Sequence, residues 1–147
     1  MSNCAAVEIL IVEDNPEDAE LIVRALRKRH LANEVFVIED GSAALDFLFS
    51  RGAYADRSVS GKPKVIFLDI KLPKLSGLEV LKNIKADPST RMIPVVVVTS
   101  SREDPDIQTA YELGANSYVV KPVEFEAFLG AMDHTGYYWL LINQSAK

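Results

Sequence analysis

Five short runs of apolar, mostly β-branched residues recur along the chain, and helix-like segments separate them. The runs cover residues 7–12, 35–38, 65–68, 95–98 and 118–120, and we predict a β-strand at each. The first, third and fourth runs are apolar almost throughout instead of alternating with polar residues. Such runs are typical of strands that helices cover on both faces, as in a parallel sheet.

Each predicted strand is followed by apolar residues at helical spacing or by a helix-start signal. After the first strand, Asn15–Pro16 supplies a capping side chain and a proline at the first helical position, and a helix to about His30 follows. Further helices are predicted at residues 40–49, 78–85 and 104–114, and from about Glu124 onward. This order predicts an α/β fold with a five-stranded, doubly wound parallel sheet, helices on both faces and right-handed crossovers.

Two segments depart from this minimal pattern. Residues 51–64 contain Gly52, Gly61 and Pro63, and we predict a surface loop before the third strand. The residues His134–Thr135–Gly136 interrupt the pattern of the last helix, and the apolar segment 137–142 follows them. That segment needs covering, either by the domain's own core or by another chain.

Length and composition limit the classes of protein to which the chain can belong. With 147 residues it has the size of one domain, which we assign to residues 1–147, with a core at about 7–130 and an aromatic C-terminal extension at 131–147. The net charge of -5 disfavours nucleic-acid binding, and every apolar run is far shorter than the ~20 residues that span a bilayer. With Cys4 as the single cysteine and two histidines, an internal disulfide and a Cys/His metal cage are excluded. We therefore predict a cytoplasmic protein without a nucleic-acid or membrane partner.

The residues at the carboxyl ends of the predicted strands carry the candidate chemistry. The first strand leads into Glu13–Asp14, the third into Asp69, the fourth into Thr99 and the fifth into Lys121. Ligands of open α/β sheets bind at this edge, where the winding direction reverses. Three clustered carboxylates hold a proton or recruit a cation, and oxygen ligands favour Mg²⁺, which often shares its coordination shell with a phosphate. Because a lysine and a hydroxyl accompany the cluster, and one of its three carboxylates is free to act as a nucleophile, the site suits phosphoryl transfer.

Four stretches of the sequence resemble one known family. They are ILIVEDNPED at residues 9–18, VIFLDIKLPKLSG at 65–77, PVVVVTS at 94–100 and SYVVKP at 117–122. In residue type and joint spacing they are similar to the signature stretches of the receiver domain of two-component response regulators, and the resemblance extends from Glu8 to about Leu129. It implies the flavodoxin-like receiver fold, phosphorylation by a sensor histidine kinase, and Mg²⁺ as the cofactor.

The resemblance also implies roles for individual residues in the metal and phosphoryl site. Asp69 matches the phosphoacceptor of the family. Glu13 and Asp14 match the acidic pair that holds Mg²⁺ together with the phosphoacceptor, and the backbone carbonyl of Lys71 matches a further metal ligand.

Three more positions match residues that respond to the phosphoryl group. Thr99 matches the hydroxyl that moves towards it, Tyr118 matches the aromatic side chain that repositions with the hydroxyl, and Lys121 matches the lysine that contacts the phosphate. The resemblance also implies that the Lys121–Pro122 peptide bond is cis.

The sequence departs from the family pattern at few positions. The acidic pair is Glu–Asp instead of Asp–Asp, and Leu72 replaces a frequent methionine. Pro73 and Gly77 match the turn after the phosphoacceptor, while Lys71 and Ser101 occupy positions that tune the lifetime of the phosphoryl group in this family.

The sequence therefore predicts a single-domain response regulator that accepts a phosphoryl group on Asp69 and then changes its affinity for protein partners. A turnover phosphatase of the haloacid dehalogenase type would need an aspartate where this chain has Lys71. The long loop, the tail with Trp139 and the lack of an output domain resemble stand-alone regulators that are paired with phytochrome-type histidine kinases. We also predict a symmetric homodimer that buries part of residues 137–142. The alternative function is a receiver-like interaction module that works without phosphate.

Overall fold

The computed structural model describes residues 7–28, 34–57 and 61–143, and all five predicted strands are present in it. The strands are β1 (Ile9–Val12), β2 (Val35–Ile38), β3 (Val65–Leu68), β4 (Val95–Thr99) and β5 (Ser117–Val120). The helices are α1 (Pro16–Lys28), α2 (Gly41–Leu48), α3 (Gly77–Ala86), α4 (Asp104–Glu112) and α5 (Phe125–Tyr137). The alternating order is confirmed, although β1 begins at Ile9 instead of residue 7. The expected end of α1 near His30 lies outside the described residues.

The five strands form one parallel sheet in the order β2-β1-β3-β4-β5. Every residue of β1, β3 and β4 is buried, whereas β2 and β5 at the two edges are mostly half-buried. The inner strands are the three whose sequences are apolar almost throughout, as expected for strands covered on both faces. The chain leaves β1 towards β2 on one side and reaches β3 on the other, so the winding direction reverses at the carboxyl ends of β1 and β3.

Two hydrophobic cores lie on opposite faces of the sheet. On one face, residues of α2, α3 and α4 pack on Leu10 and Val12, and on the other face residues of α1 and α5 pack on Ile9 and Ile11. Because side chains alternate between the faces of a strand, each inner strand supplies both cores. The predicted doubly wound fold with helices on both faces is therefore confirmed.

The last helix is not interrupted at residues 134–136, and that expectation was wrong. Helix α5 runs without a break to Tyr137 and continues into a π-helical turn at Tyr138–Ile142. Gly136 is buried and Trp139 packs against the core on the α1 face, so tertiary packing outweighs the roughly 1 kcal/mol by which glycine weakens a helix. Within the apolar segment, Leu140 also packs on that core, whereas Tyr137 and Tyr138 are 40% and 46% exposed.

The predicted loop before β3 is held against the end of α2. It begins with a 3₁₀ turn at Gly52–Tyr54, and the Tyr54 ring packs edge-on to Phe47 with 5.2 Å between the ring centroids. The guanidinium of Arg57 lies 3.6 Å from the centroid of the same Phe47 ring and donates hydrogen bonds to the carbonyls of Phe47 and Gly61. The described part of the loop is thus anchored to the domain.

Candidate functional site

The carboxyl ends of β1 and β3 bring three of the predicted site residues together. Carboxylate oxygens of Glu13, Asp14 and Asp69 lie within 4.8 Å of one another. Glu13 and Asp69 are buried, and Asp14 is exposed at the mouth of the site. The strand-end cluster that the sequence predicts is therefore present, and its three carboxylates are the donors that could hold a divalent cation.

The ammonium of Lys121, which follows β5, lies among these acids. Its Nζ atom is 2.7 Å from Glu13 Oε1, 2.8 Å from Asp18 Oδ2 and 3.0 Å from Asp69 Oδ2. The lysine side chain is only 9% exposed. The lysine thus makes three charge-assisted contacts in a nearly water-free position, where they are stronger than at the surface.

Burial and mutual charge set the protonation of the site. Burial raises the pKa of Glu13 to about 7 although the hydrogen bond from Lys121 opposes the rise, and the negative charge of Asp69 adds to it. Burial alone would lower the pKa of Lys121, but hydrogen bonds to Asp18 and Glu13 outweigh it and raise this pKa above its usual value. The lysine is therefore charged at neutral pH. Glu13 is partly protonated near pH 7 when no metal is bound.

The turn after β3 fixes the position of Asp69. The backbone N–H of Asp69 donates to the carbonyl of Val12 at 3.0 Å, and the N–H of Lys71 donates to Asp69 Oδ1 at 3.2 Å. Gly77 closes the turn, because its N–H donates to the carbonyl of Ile70 at 2.7 Å. A Cβ atom at Gly77 would lie 2.0 Å from the carbonyl oxygen of Asp69, so only glycine fits this close backbone approach.

The two predicted switch residues both contact the backbone of Ser101, just after β4. Thr99 is fully buried, and its Oγ1 is 3.5 Å from the N–H of Ser101. The hydroxyl of Tyr118 donates to the carbonyl of Ser101 at 3.0 Å. The Ser101 hydroxyl in turn donates to Asp106 Oδ2 at 2.5 Å, and this links the switch region to the start of α4.

Asp18 is a site residue that the strand-end analysis missed. It lies in the first turn of α1, where the side chain of Asn15 accepts its N–H at 3.1 Å. The acidic first turn of α1, which directly follows Glu13–Asp14 in the sequence, gives the signal that could have found it. The contact with Lys121 itself spans 103 positions and is not visible in the local sequence.

The expectation of a cis Lys121–Pro122 bond is contradicted. No cis peptide bond occurs within the described residues, and both members of this pair are among them. An X–Pro bond accommodates either isomer, and trans is the form of lower energy by about 0.5–1 kcal/mol.

The sheet is doubly wound, and the point where its winding reverses holds buried carboxylates and a charged lysine. This arrangement is typical of proteins that bind cations and phosphoryl groups at a strand-end aspartate. The family follows from a direct comparison. Residues 9–133 match the model of the response regulator receiver domain, and the chain belongs to this family.

Three similar proteins share both sequence and fold with this chain. The response regulator Rcp1 of Synechocystis is 36% identical over 132 residues, which are 90% of this chain and 88% of Rcp1. The crystal structure of its Mn²⁺-bound form has a TM-score of 0.89, with coverage of 96% of this chain and 99% of Rcp1.

The other two similar structures come from phytochrome systems. The structure of the phosphorylated cyanobacterial phytochrome response regulator RcpA has a TM-score of 0.89 at 36% identity. The alignment covers 97% of this chain and 100% of the RcpA chain. The bacteriophytochrome response regulator AtBRR is 52% identical, with a TM-score of 0.72. The alignment covers 94% of this chain and 98% of the AtBRR chain. The resemblance to stand-alone regulators of phytochrome systems is thereby confirmed.

None of the helices in the described part of the chain is long and apolar enough to cross a membrane.

Proposed function

We propose that this receiver domain accepts a phosphoryl group on Asp69 from a phosphohistidine of a sensor histidine kinase. An oxygen of the Asp69 carboxylate forms a bond to phosphorus, the phosphorus–nitrogen bond breaks, and the electron pair returns to the histidine. The observation that carries the proposal is the position of Asp69, whose carboxylate lies in the acidic cluster with Lys121 Nζ at 3.0 Å. The lysine can neutralise charge on the transferred group. The phosphorylated structure of RcpA supports the same chemistry.

Mg²⁺ is the cofactor that we propose for this transfer. The residues fit it, because all donors are oxygens and the buried carboxylates carry more negative charge than the single lysine compensates. Glu13, Asp14 and Asp69 would hold the cation, with the backbone carbonyl of Lys71 as a further ligand. When bound, Mg²⁺ supplies charge neutralisation and orientation for an incoming phosphate. The Mn²⁺-bound form of Rcp1 supports a divalent cation at such a site.

The output that we propose is a change in affinity for other proteins. In this proposal Thr99 and Lys121 contact the new phosphoryl oxygens, and Tyr118 changes position with Thr99. These movements shift the conformational equilibrium of the face formed by α4, β5 and α5. In this proposal the protein is a cytoplasmic regulator instead of a turnover enzyme. The phytochrome regulators RcpA and AtBRR support a phytochrome-type kinase as the partner.

We also propose that a second copy of the chain covers the exposed tyrosines at the end of α5. These are Tyr137 and Tyr138, which are 40% and 46% exposed. Trp139 and Leu140 already pack on the core, so deleting the whole segment would damage the fold. A milder test is Tyr138→Glu in sedimentation experiments: a folded monomer supports the homodimer, and an unchanged dimer contradicts an interface at this position.

Intact mass after incubation with acetyl phosphate tests the phosphoacceptor directly. We expect one labile phosphoryl adduct that requires Mg²⁺ and is absent in Asp69→Asn. Asp46→Asn is a matched control, because this half-buried α2 carboxylate lies outside the acidic cluster and pairs with Arg51. A folded wild-type protein that forms no adduct and binds no beryllofluoride would instead favour the phosphate-independent interaction module.

A further inference from the structure

Three carboxylates already surround the ammonium of Lys121. Its Nζ atom donates hydrogen bonds to Asp18 and Asp69 and forms an ion pair with Glu13 Oε1 at 2.7 Å. An oxygen of a phosphoryl group on Asp69 must therefore compete with these carboxylates for the lysine.

Of the two carboxylates that keep their charge when Asp69 is phosphorylated, Asp18 is released by Lys121 at the lower cost. Its side chain is 25% exposed, whereas those of Glu13 and Asp69 are 2% and 7% exposed. Water can replace the lysine at an accessible carboxylate, but a buried carboxylate that loses its partner stays desolvated. Glu13 is also held by the N–H of Asn15 at 3.1 Å, and Asp69 loses its own carboxylate charge to the phosphoryl group.

The place of Asp18 in the fold puts its charge on the approach to Lys121. Both residues line an open cleft between the start of α1 and the loop after β5, together with Ser100 and Phe125. The N-terminal turn of α1 fixes Asp18 there through the Asn15 cap. An anion that reaches Lys121 from this cleft therefore passes the carboxylate of Asp18.

We propose that Asp18 is a positioning residue for phosphoryl transfer to Asp69. Its carboxylate holds Lys121 in the unphosphorylated site, opposes the approach of dianionic phosphodonors, and gives up the lysine when the phosphoryl group arrives. No covalent bond to Asp18 forms or breaks. The inference rests on the proposed chemistry at Asp69 and adds a residue that sets the strength of donor binding.

Asp18→Asn tests this role in the full chain with Mg²⁺ and acetyl phosphate. We expect the half-saturating donor concentration to fall by roughly two- to tenfold, because one unit charge near the donor is removed at an accessible site. The gain should shrink at ~1 M salt, where charges are screened beyond about 3 Å. It should also be smaller with phosphoramidate, which carries less negative charge, and Asp18→Glu should retain the wild-type value.

Glu17→Gln is the matched control, because it removes the same charge from the same helical turn and the same cleft. Equal half-saturation in Asp18→Asn and Glu17→Gln would overturn the positioning role and leave a general charge effect. If Asp18→Asn melts early, Asp18→Ser serves for the same comparison. A wild-type protein without any adduct would refute the chemistry at Asp69 itself, and this inference would then be wrong as well.

Discussion

Replacing Gly77 by alanine should damage both the fold and the phosphoacceptor position, because the start of α3 leaves no room for a Cβ atom. That atom would lie 2.0 Å from the carbonyl oxygen of Asp69 and 2.6 Å from the Cα of Ile70. Both neighbours are backbone, so the two segments must separate by about 1 Å to reach the closest contacts that real Cβ atoms make. The hydrogen bond from Gly77 N–H to Ile70, 2.7 Å long, would be stretched by the same movement.

The expected loss of stability follows from these contacts. Overpacking of this kind costs about 1–3 kcal/mol, and a weakened buried hydrogen bond costs about 1–3 kcal/mol. The better helix propensity of alanine offsets at most about 1 kcal/mol. We therefore expect a net loss of about 2–4 kcal/mol, measured by urea unfolding. We also expect phosphorylation by acetyl phosphate to slow by about 10²-fold, because the carboxylate of Asp69 moves with its backbone.

Gly130→Ala is the control within the same chain. A Cβ atom at Gly130 meets nothing within 4 Å, and the residue lies inside α5. This variant should gain about 0.5–1 kcal/mol, because alanine is the better helix former and restricts the unfolded chain. If Gly77→Ala unfolded at the same urea concentration as the wild type, the reasoning about the close approach would be refuted.

Three further predictions concern the switch region, the loop and the acidic cluster. Tyr118→Phe removes the hydrogen bond to the Ser101 carbonyl and should lower the free energy of unfolding by about 0.5–1.5 kcal/mol, as measured in urea. Arg57→Ala removes the cation over the Phe47 ring and two hydrogen bonds to carbonyls, so limited proteolysis should cleave the loop before β3 faster; an unchanged cleavage rate would contradict the anchoring. Because the folded metal-free protein holds the proton of Glu13 more tightly than the unfolded chain does, its stability should fall as pH rises from about 4.5 to 7. The apparent affinity for Mg²⁺ should rise over the same range, because binding requires the carboxylate, and Glu13→Gln should flatten both pH profiles.

Local patterns in the sequence were sufficient to predict the layered fold and the strand-end part of the site. Apolar runs without alternation indicated the inner strands β1, β3 and β4. A strand that is covered on both faces has no solvent-facing side, so polar residues do not alternate with apolar ones along it. Parallel strands align their carboxyl ends at one edge, so Glu13 and Asp69 could be placed together from local patterns alone.

The contacts between side chains of distant segments, in contrast, could be seen only in the folded domain. The contact of Asp18 with Lys121 depends on how α1 is rotated against the loop after β5, which neighbouring residues do not encode. Helix α5 likewise continues through Gly136 because packing on the α1 face outweighs a weak local preference. The periodicity of apolar residues indicates which face of a helix or strand is buried. Which residues pack against that face depends on the packing of the whole domain.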